Sequence, residues 1–206
     1  QYHDRKWLAG APERGWRFVD GFHRAEDWPN ACVQGPADVS GNPPLGQYDV
    51  VPAEADLAVL KRYSALVFLG WNTMTADLYA KLKAYVQAGG HLLMFLPQLS
   101  TRTDRAADLA LFNHGDFSDL FGVRVHGRET TAVQGVTCCA EATLRNYRFP
   151  LYRAGEDPFF LGRMTPAQVE LAGARVVSGF AGMFGTAEAE LVRRPAIVEN
   201  RLGRGH

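Results

Sequence analysis

The chain has 206 residues, enough for one large α/β domain or a compact domain with an extension, and 47% are hydrophobic, enough to fill a core. Lysine plus arginine (22) equals aspartate plus glutamate (22), and a formal net charge of zero removes the general electrostatic case for nucleic acid or an anionic membrane as partner. No apolar run approaches the roughly 20 residues of a spanning helix, and the opening QYHDRKW lacks the basic start and apolar middle of a signal peptide.

Residues 1–47 carry Trp7, Trp16 and Trp28 among several Gly and Pro, with one apolar piece of strand character, Trp16–Val19. They read as an irregular N-terminal extension packed by its aromatics, since a disordered tail carries fewer tryptophans. Val39–Gln47 (VSGNPPLGQ) is a turn-rich connector.

From Tyr48 to Pro97 the pattern is strand, helix, strand, helix, strand. Ala65–Leu69 (ALVFL) and His91–Leu96 (HLLMFL) are too short for helices and too continuous for strands with one wet face, so they predict parallel strands buried on both sides. Leu78, Leu82, Tyr85 and Val86 form one stripe of an amphipathic helix over 75–88, with Thr75 as its cap and Gly89 as its left-handed stop. Tyr48–Val51 is expected beside the other two strands, joined by right-handed crossovers. Leu66, Phe68, Leu78, Leu82, Leu93 and Phe95 are the expected core. The fold class is α/β: a flavodoxin-like, doubly wound, mostly parallel sheet with a β-rich C-terminal elaboration.

Beyond it, LSTRTDRAADLALF predicts a loop and a short helix with Leu109 and Phe112 inward. Phe117–Val123 reads as a helical turn stopped by Gly122 and leading into strand Val123–His126. Between Thr130 and Tyr152, GVTCCAEATL and YRFPLY read as antiparallel strands, followed by strands at Val176–Phe180 and Ala196–Glu199. Asn200–Gly205 (NRLGRG) reads as a turn leading towards a further strand.

In such a sheet, ligands gather beyond the carboxyl ends of the strands, which selects Gly70–Thr73 and Pro97–Arg102. A nucleophile elbow after the second strand needs small neighbours, but Leu96, Pro97, Gln98 and Leu99 stand there. Ser100 comes too late and lacks a histidine at readable spacing. No phosphate-cradling glycine pattern follows a strand, so no cofactor is expected. His91 opens a strand as a structural residue. His114 and Asp116, in NHGD, suit a turn better than a metal site, and no metal or catalytic residue is assigned. Arg102, Asp104 and Arg105 form either a solvated helix start or a contact to a neighbouring domain or subunit. Arg193–Arg194 is too short for a basic patch. Three cysteines are too few for a disulfide framework; Cys138 and Cys139 read as small half-buried strand residues, and reducing, cytoplasmic conditions are the expectation.

The run DLAVLKRYSALVFLGWNTMTADLYAKLKAYVQAGGHLLMFLP, then DFSDLFGVRV and RRPAIVENRLGRG, resembles the class I glutamine-amidotransferase-like domain. It is most similar to the version that forms the middle, trimerisation domain of family 42 β-galactosidases and related carbohydrate-active enzymes. The likeness covers about 48–126 and 192–205, implying an amidotransferase-like domain over 48–206 with a β-rich insertion at about 127–191. Active members carry a Cys nucleophile and a late His-x-Glu pair, and neither maps onto this sequence. The resemblance therefore implies a non-catalytic assembly or accessory domain. Its partners would be the remainder of a larger parent chain or symmetry-related subunits, with carbohydrate as a further ligand, through an apolar surface drawn from 1–47 and 127–191. Two alternatives stay open. A ThuA-like hydrolase or sugar-metabolism protein would converge Asn72, Gln98, Arg102 and His114 at the loop mouths. A sugar-binding module would use Trp71 as a stacking platform.

Overall fold

The computed structural model describes residues 49–69, 72–104, 108–131, 133, 135–139, 152–153, 165–181 and 187–206. Among them the protein is mixed α/β, with few helices and both parallel and antiparallel pairing. The elements are α1 (Leu57–Leu60), β1 (Ala65–Val67), α2 (Ala76–Gln87), β2 (His91–Leu93), β3 (Asp116–Phe117), β4 (Val123–Arg128), β5 (Gly135–Cys138), β6 (Tyr152–Arg153), β7 (Ala167–Leu171), β8 (Arg175–Ala181), α3 (Glu188–Arg193) and β9 (Pro195–Glu199). They form a parallel pair β1-β2 and two antiparallel sheets, β3-β4-β7 and β6-β5-β8-β9.

Helix α2 forms as its sequence dictates. The Thr75 hydroxyl accepts the Leu78 amide at 3.2 Å, Asp77 sits in the first turn, and Gly89 closes the end at φ +114°. Leu78, Tyr79, Leu82, Tyr85 and Val86 are buried, packed with Leu60, Met74, Leu99, Phe117, Leu120, Val123 and Val125. Lys81, off that stripe, donates to the carbonyls of Ala53, Glu54 and Ala55, at 2.9 Å for the last, and pins the chain ahead of α1.

Strands β1 and β2 are parallel, in the register Ala65↔His91, Leu66↔Leu92, Val67↔Leu93. Leu66, Phe68, Leu92 and Met94 lean on the core and are half-buried. The opposite face departs from expectation: Val67 is 44% exposed, and Leu93 and Phe95 are each 46% exposed. A parallel pair is dry on both sides only when each face has its own cover, and among the described residues only α2 supplies one. Asp49–Val51 is not a strand, so the expected third neighbour is missing there, and Tyr48 lies outside the described residues. The expected short helix before Phe112 is also absent over the described part, 108–111, where Leu111 instead bridges Ser100.

The antiparallel strands fall where alternation placed them: β5 within GVTCC, β8 over Val176–Phe180 and β9 over Ala196–Glu199. The expected strand YRFPLY is described only at Tyr152, in β6. Gly122 (φ +66°) is the junction of this half. A Cβ there would meet the Ala174 nitrogen and the Asn200 Oδ1 at 2.7 Å. The Gly122 carbonyl accepts the amides of Ala172 and Ala174, and Asn200 Nδ2 donates to Leu120 O at 2.8 Å. The final turn, Leu202–Gly205, folds back on α2: Arg204 donates its amide to Gln87 O and its guanidinium to Ala88 O, capping carbonyls the helix leaves open. No described helix is long and apolar enough to cross a membrane.

Candidate functional site

The loop beyond β1 and the loop beyond β2 do meet, and an amide network joins them. Gln98 is 4% exposed. Its Nε2 donates to Phe68 O at 2.7 Å, and its Oε1 accepts the Phe95 amide at 2.9 Å. One side chain thus closes the ends of both strands. Asn72 Nδ2 donates to Gln98 O at 2.8 Å, while Asn72 Oδ1 is buried with no hydrogen-bond partner among the described residues. The Ser100 hydroxyl is fully buried and accepts the amides of Arg102 (3.2 Å) and Ala110 (3.3 Å). These are loop-organising bonds of a short polar side chain to nearby backbone.

Of the residues proposed for this mouth, Asn72 and Gln98 come together, Arg102 is exposed on the following segment, and Trp71 lies outside the described residues. His114 is exposed on a turn, where it and Asn113 both adopt left-handed backbone (φ 53° and 49°). Asn113 Nδ2 closes that turn on Asp116 O at 2.9 Å. The neighbouring Asp116 carboxylate is engaged by the Ser118 hydroxyl and amide and by Arg124. Those Ser118 bonds, with Arg124 behind them, hold its pKa below the usual carboxylate range. No group of three or more His, Cys, Asp or Glu among the described residues is arranged to hold a metal ion. Cys139 is buried.

Two charged clusters went unread in the sequence because their members come from distant segments. Arg124 bridges Asp116 and Glu170, and His126 Nε2 meets Glu170 at 2.9 Å, all on the solvent side of β4 and β7. Hydrogen bonds from His126 and then Arg124 keep Glu170 below its ordinary pKa. Tyr79 donates to Asp119 at 2.7 Å, and Lys83 meets the other carboxylate oxygen at 2.7 Å. Burial, then that hydrogen bond, pushes the Tyr79 phenol far up. Both clusters are satisfied internally, as structural staples are.

One concavity among the described residues is apolar. A cleft of about 350 Å³ runs between the β1-β2 pair and β8-β9, lined by Val67, Val86, Leu92, Leu93, Leu120, Phe121, Val177 and Ile197, with Glu199 and His206 at one end. Glu199 is held by Arg175 at 2.6 Å and by His206 Nδ1 at 3.1 Å, which together lower its pKa, Arg175 more strongly. The His206 ring stacks on His91 with centroids 5.2 Å apart. Val67, Leu93, Phe95 and Ile197 are exposed in this region, whereas residues 1–47 and much of 127–191, from which an apolar surface was expected, lie outside the described residues.

No family model matches this chain, and no curated protein matches it. Solved structures do. Gan42B, a GH42 β-galactosidase from G. stearothermophilus, aligns with a TM-score of 0.54 at 18% identity, covering 98% of this chain and 23% of that one. A β-galactosidase from Rahnella sp. R3 aligns with a TM-score of 0.53 at 18% identity, covering 78% of this chain and 21% of its own. At such identity the likeness is one of fold. The chain spans less than a quarter of the length of these β-galactosidases.

Proposed function

We propose that this chain is a non-catalytic assembly or accessory unit of a carbohydrate-active enzyme of β-galactosidase type, with the flavodoxin-like, amidotransferase-like fold of such units. The observation that carries the reading is the alignment of 98% of the chain to 23% of a GH42 β-galactosidase. The chemistry at the loop mouths supports it. Glycoside hydrolysis uses two carboxyl groups flanking the bond, whereas the described residues of the two loops, 72–73 and 97–102, include no carboxyl group, and Gln98 and Ser100 bond backbone groups. Fold alone does not assign function, so the test is direct. The purified chain is expected to give no turnover of p-nitrophenyl β-galactoside, and none of glutamine or simple esters. Turnover of the galactoside that survives repurification with the chain would overturn the reading, as would glutamine or ester turnover abolished by Ser100→Ala or Cys138→Ala. In this reading the partners are the rest of a larger parent chain or symmetry-related copies.

A further inference from the structure

At one end of the cleft, two histidines from distant segments stand side by side. His91 opens β2, and two backbone bonds set His206 next to it: the His206 amide donates to Gly90 O at 3.3 Å, and its carbonyl accepts the Leu92 amide at 2.9 Å. The two rings stack with centroids 5.2 Å apart and planes inclined by 24°. One ring is fixed and the other is not. Glu199 Oε1 meets His206 Nδ1 at 3.1 Å, while Arg175 holds Oε2 of the same carboxylate at 2.6 Å. An ionised carboxylate only accepts, so this bond places the hydrogen on Nδ1 and leaves the lone pair of the neutral ring on Nε2. His91 is exposed, and no hydrogen bond to a described residue engages its ring.

We propose that His91 and His206 form a binding site for one divalent transition cation of the zinc, nickel and copper group, with water completing its coordination. Imidazole nitrogen is the donor these borderline cations take, whereas Mg2+ and Ca2+ take oxygen ligands. A ligating histidine ordinarily donates its other ring N–H to a carboxylate, which orients the ring and raises its basicity. Glu199 already does this for His206. Arg175, on the far oxygen, holds Glu199 in that orienting role and away from the cation. A site of two nitrogens therefore agrees with there being no cluster of three or more metal-binding side chains among the described residues. His91 is the ring that moves. Two nitrogens each about 2.0–2.1 Å from one zinc ion lie closer together than the two ring centres do, and the broad χ2 torsion of histidine supplies the turn. The bound cation joins β2 to the turn that caps α2, so binding stabilises that closure.

The probe is Zn2+ alone, titrated into the 206-residue chain while the imidazole nitrogen resonances are followed by NMR. The His91 and His206 rings are expected to shift together and to saturate at a single equivalent, with a rise in the thermal midpoint, and Mg2+ to change neither. His91→Gln and His206→Gln are each expected to abolish the saturable response, and Glu199→Gln to weaken it by roughly tenfold. Zn2+ that leaves the two rings unmoved, or binding that is undiminished in His91→Gln, would overturn the site. The ring signals are read in the unaltered chain, so the outcome does not depend on whether a variant folds. It is also independent of galactoside turnover, which tests the functional reading alone.

Discussion

Replacing Gln98 by leucine would leave the Phe68 carbonyl and the Phe95 amide without partners at once, both at the ends of strands. Each unsatisfied buried group costs about 1–3 kcal/mol, so Gln98→Leu is expected to lose about 2–5 kcal/mol in urea unfolding. A loss below about half a unit would show that the amide is not the tie between the loops. The sequence placed Asn72, Gln98 and Ser100 beyond the carboxyl ends of β1 and β2, but their bonds to backbone groups were not legible in it. A buried amide or hydroxyl serving backbone groups has the same letter as one serving a ligand. His114 was read correctly as a turn residue because NHGD is local chemistry, and the left-handed pair Asn113–His114 is stabilised within four residues.

Helix α2 was legible from start to stop, because its stripe, its cap and its glycine all lie within fifteen residues. Leu82 is fully buried at its centre, and Leu82→Ala is expected to cost about 2–5 kcal/mol, measurable by the same unfolding curve. The parallel pairing of β1 and β2 was legible too, but the wetness of their outer face was not. A continuous apolar run reports that both faces are apolar, and says nothing of where the second cover comes from. Strand β9 carries a titration that follows from its partners. Glu199 has a folded pKa below the ordinary glutamate value of about 4.3. Its contribution to stability is therefore complete above that value and is lost as pH falls through the lower folded one. Arg175→Ala removes the main cause, so a carboxyl NMR titration of Glu199 is expected to move up towards 4.3. An unchanged midpoint would show that Arg175 does not hold this carboxylate in solution.

For the molecule as a whole, the exposed pair Val67 and Leu93, with Phe95 and Ile197 nearby, is a surface that water does not favour. The isolated chain is expected to show concentration-dependent association in sedimentation velocity, and Val67→Lys with Leu93→Lys to suppress it. A monomer at every concentration would favour the sugar-binding alternative over an assembly unit. The exposure of these residues was not legible in the sequence, because hydrophobic residues on β1, β2 and β9 read as core wherever they fall in strands. Exposure depends on packing between segments more than 100 residues apart in sequence.

The turn that caps α2 also sets the order in which the protein can be completed during synthesis. Arg204 reaches the Ala88 carbonyl across 116 residues, and the first bond on the outer edge of β2 comes from His206. At about 5–20 residues per second, a ribosome takes roughly 6–20 s to supply that turn once α2 has been made. During that interval the helix end and the strand edge have no native partner, and loops of this length form their contacts slowly. The parallel pair is thus translated early, its first strand preceded by α1 alone among the described helices and strands, yet is among the last parts to be finished.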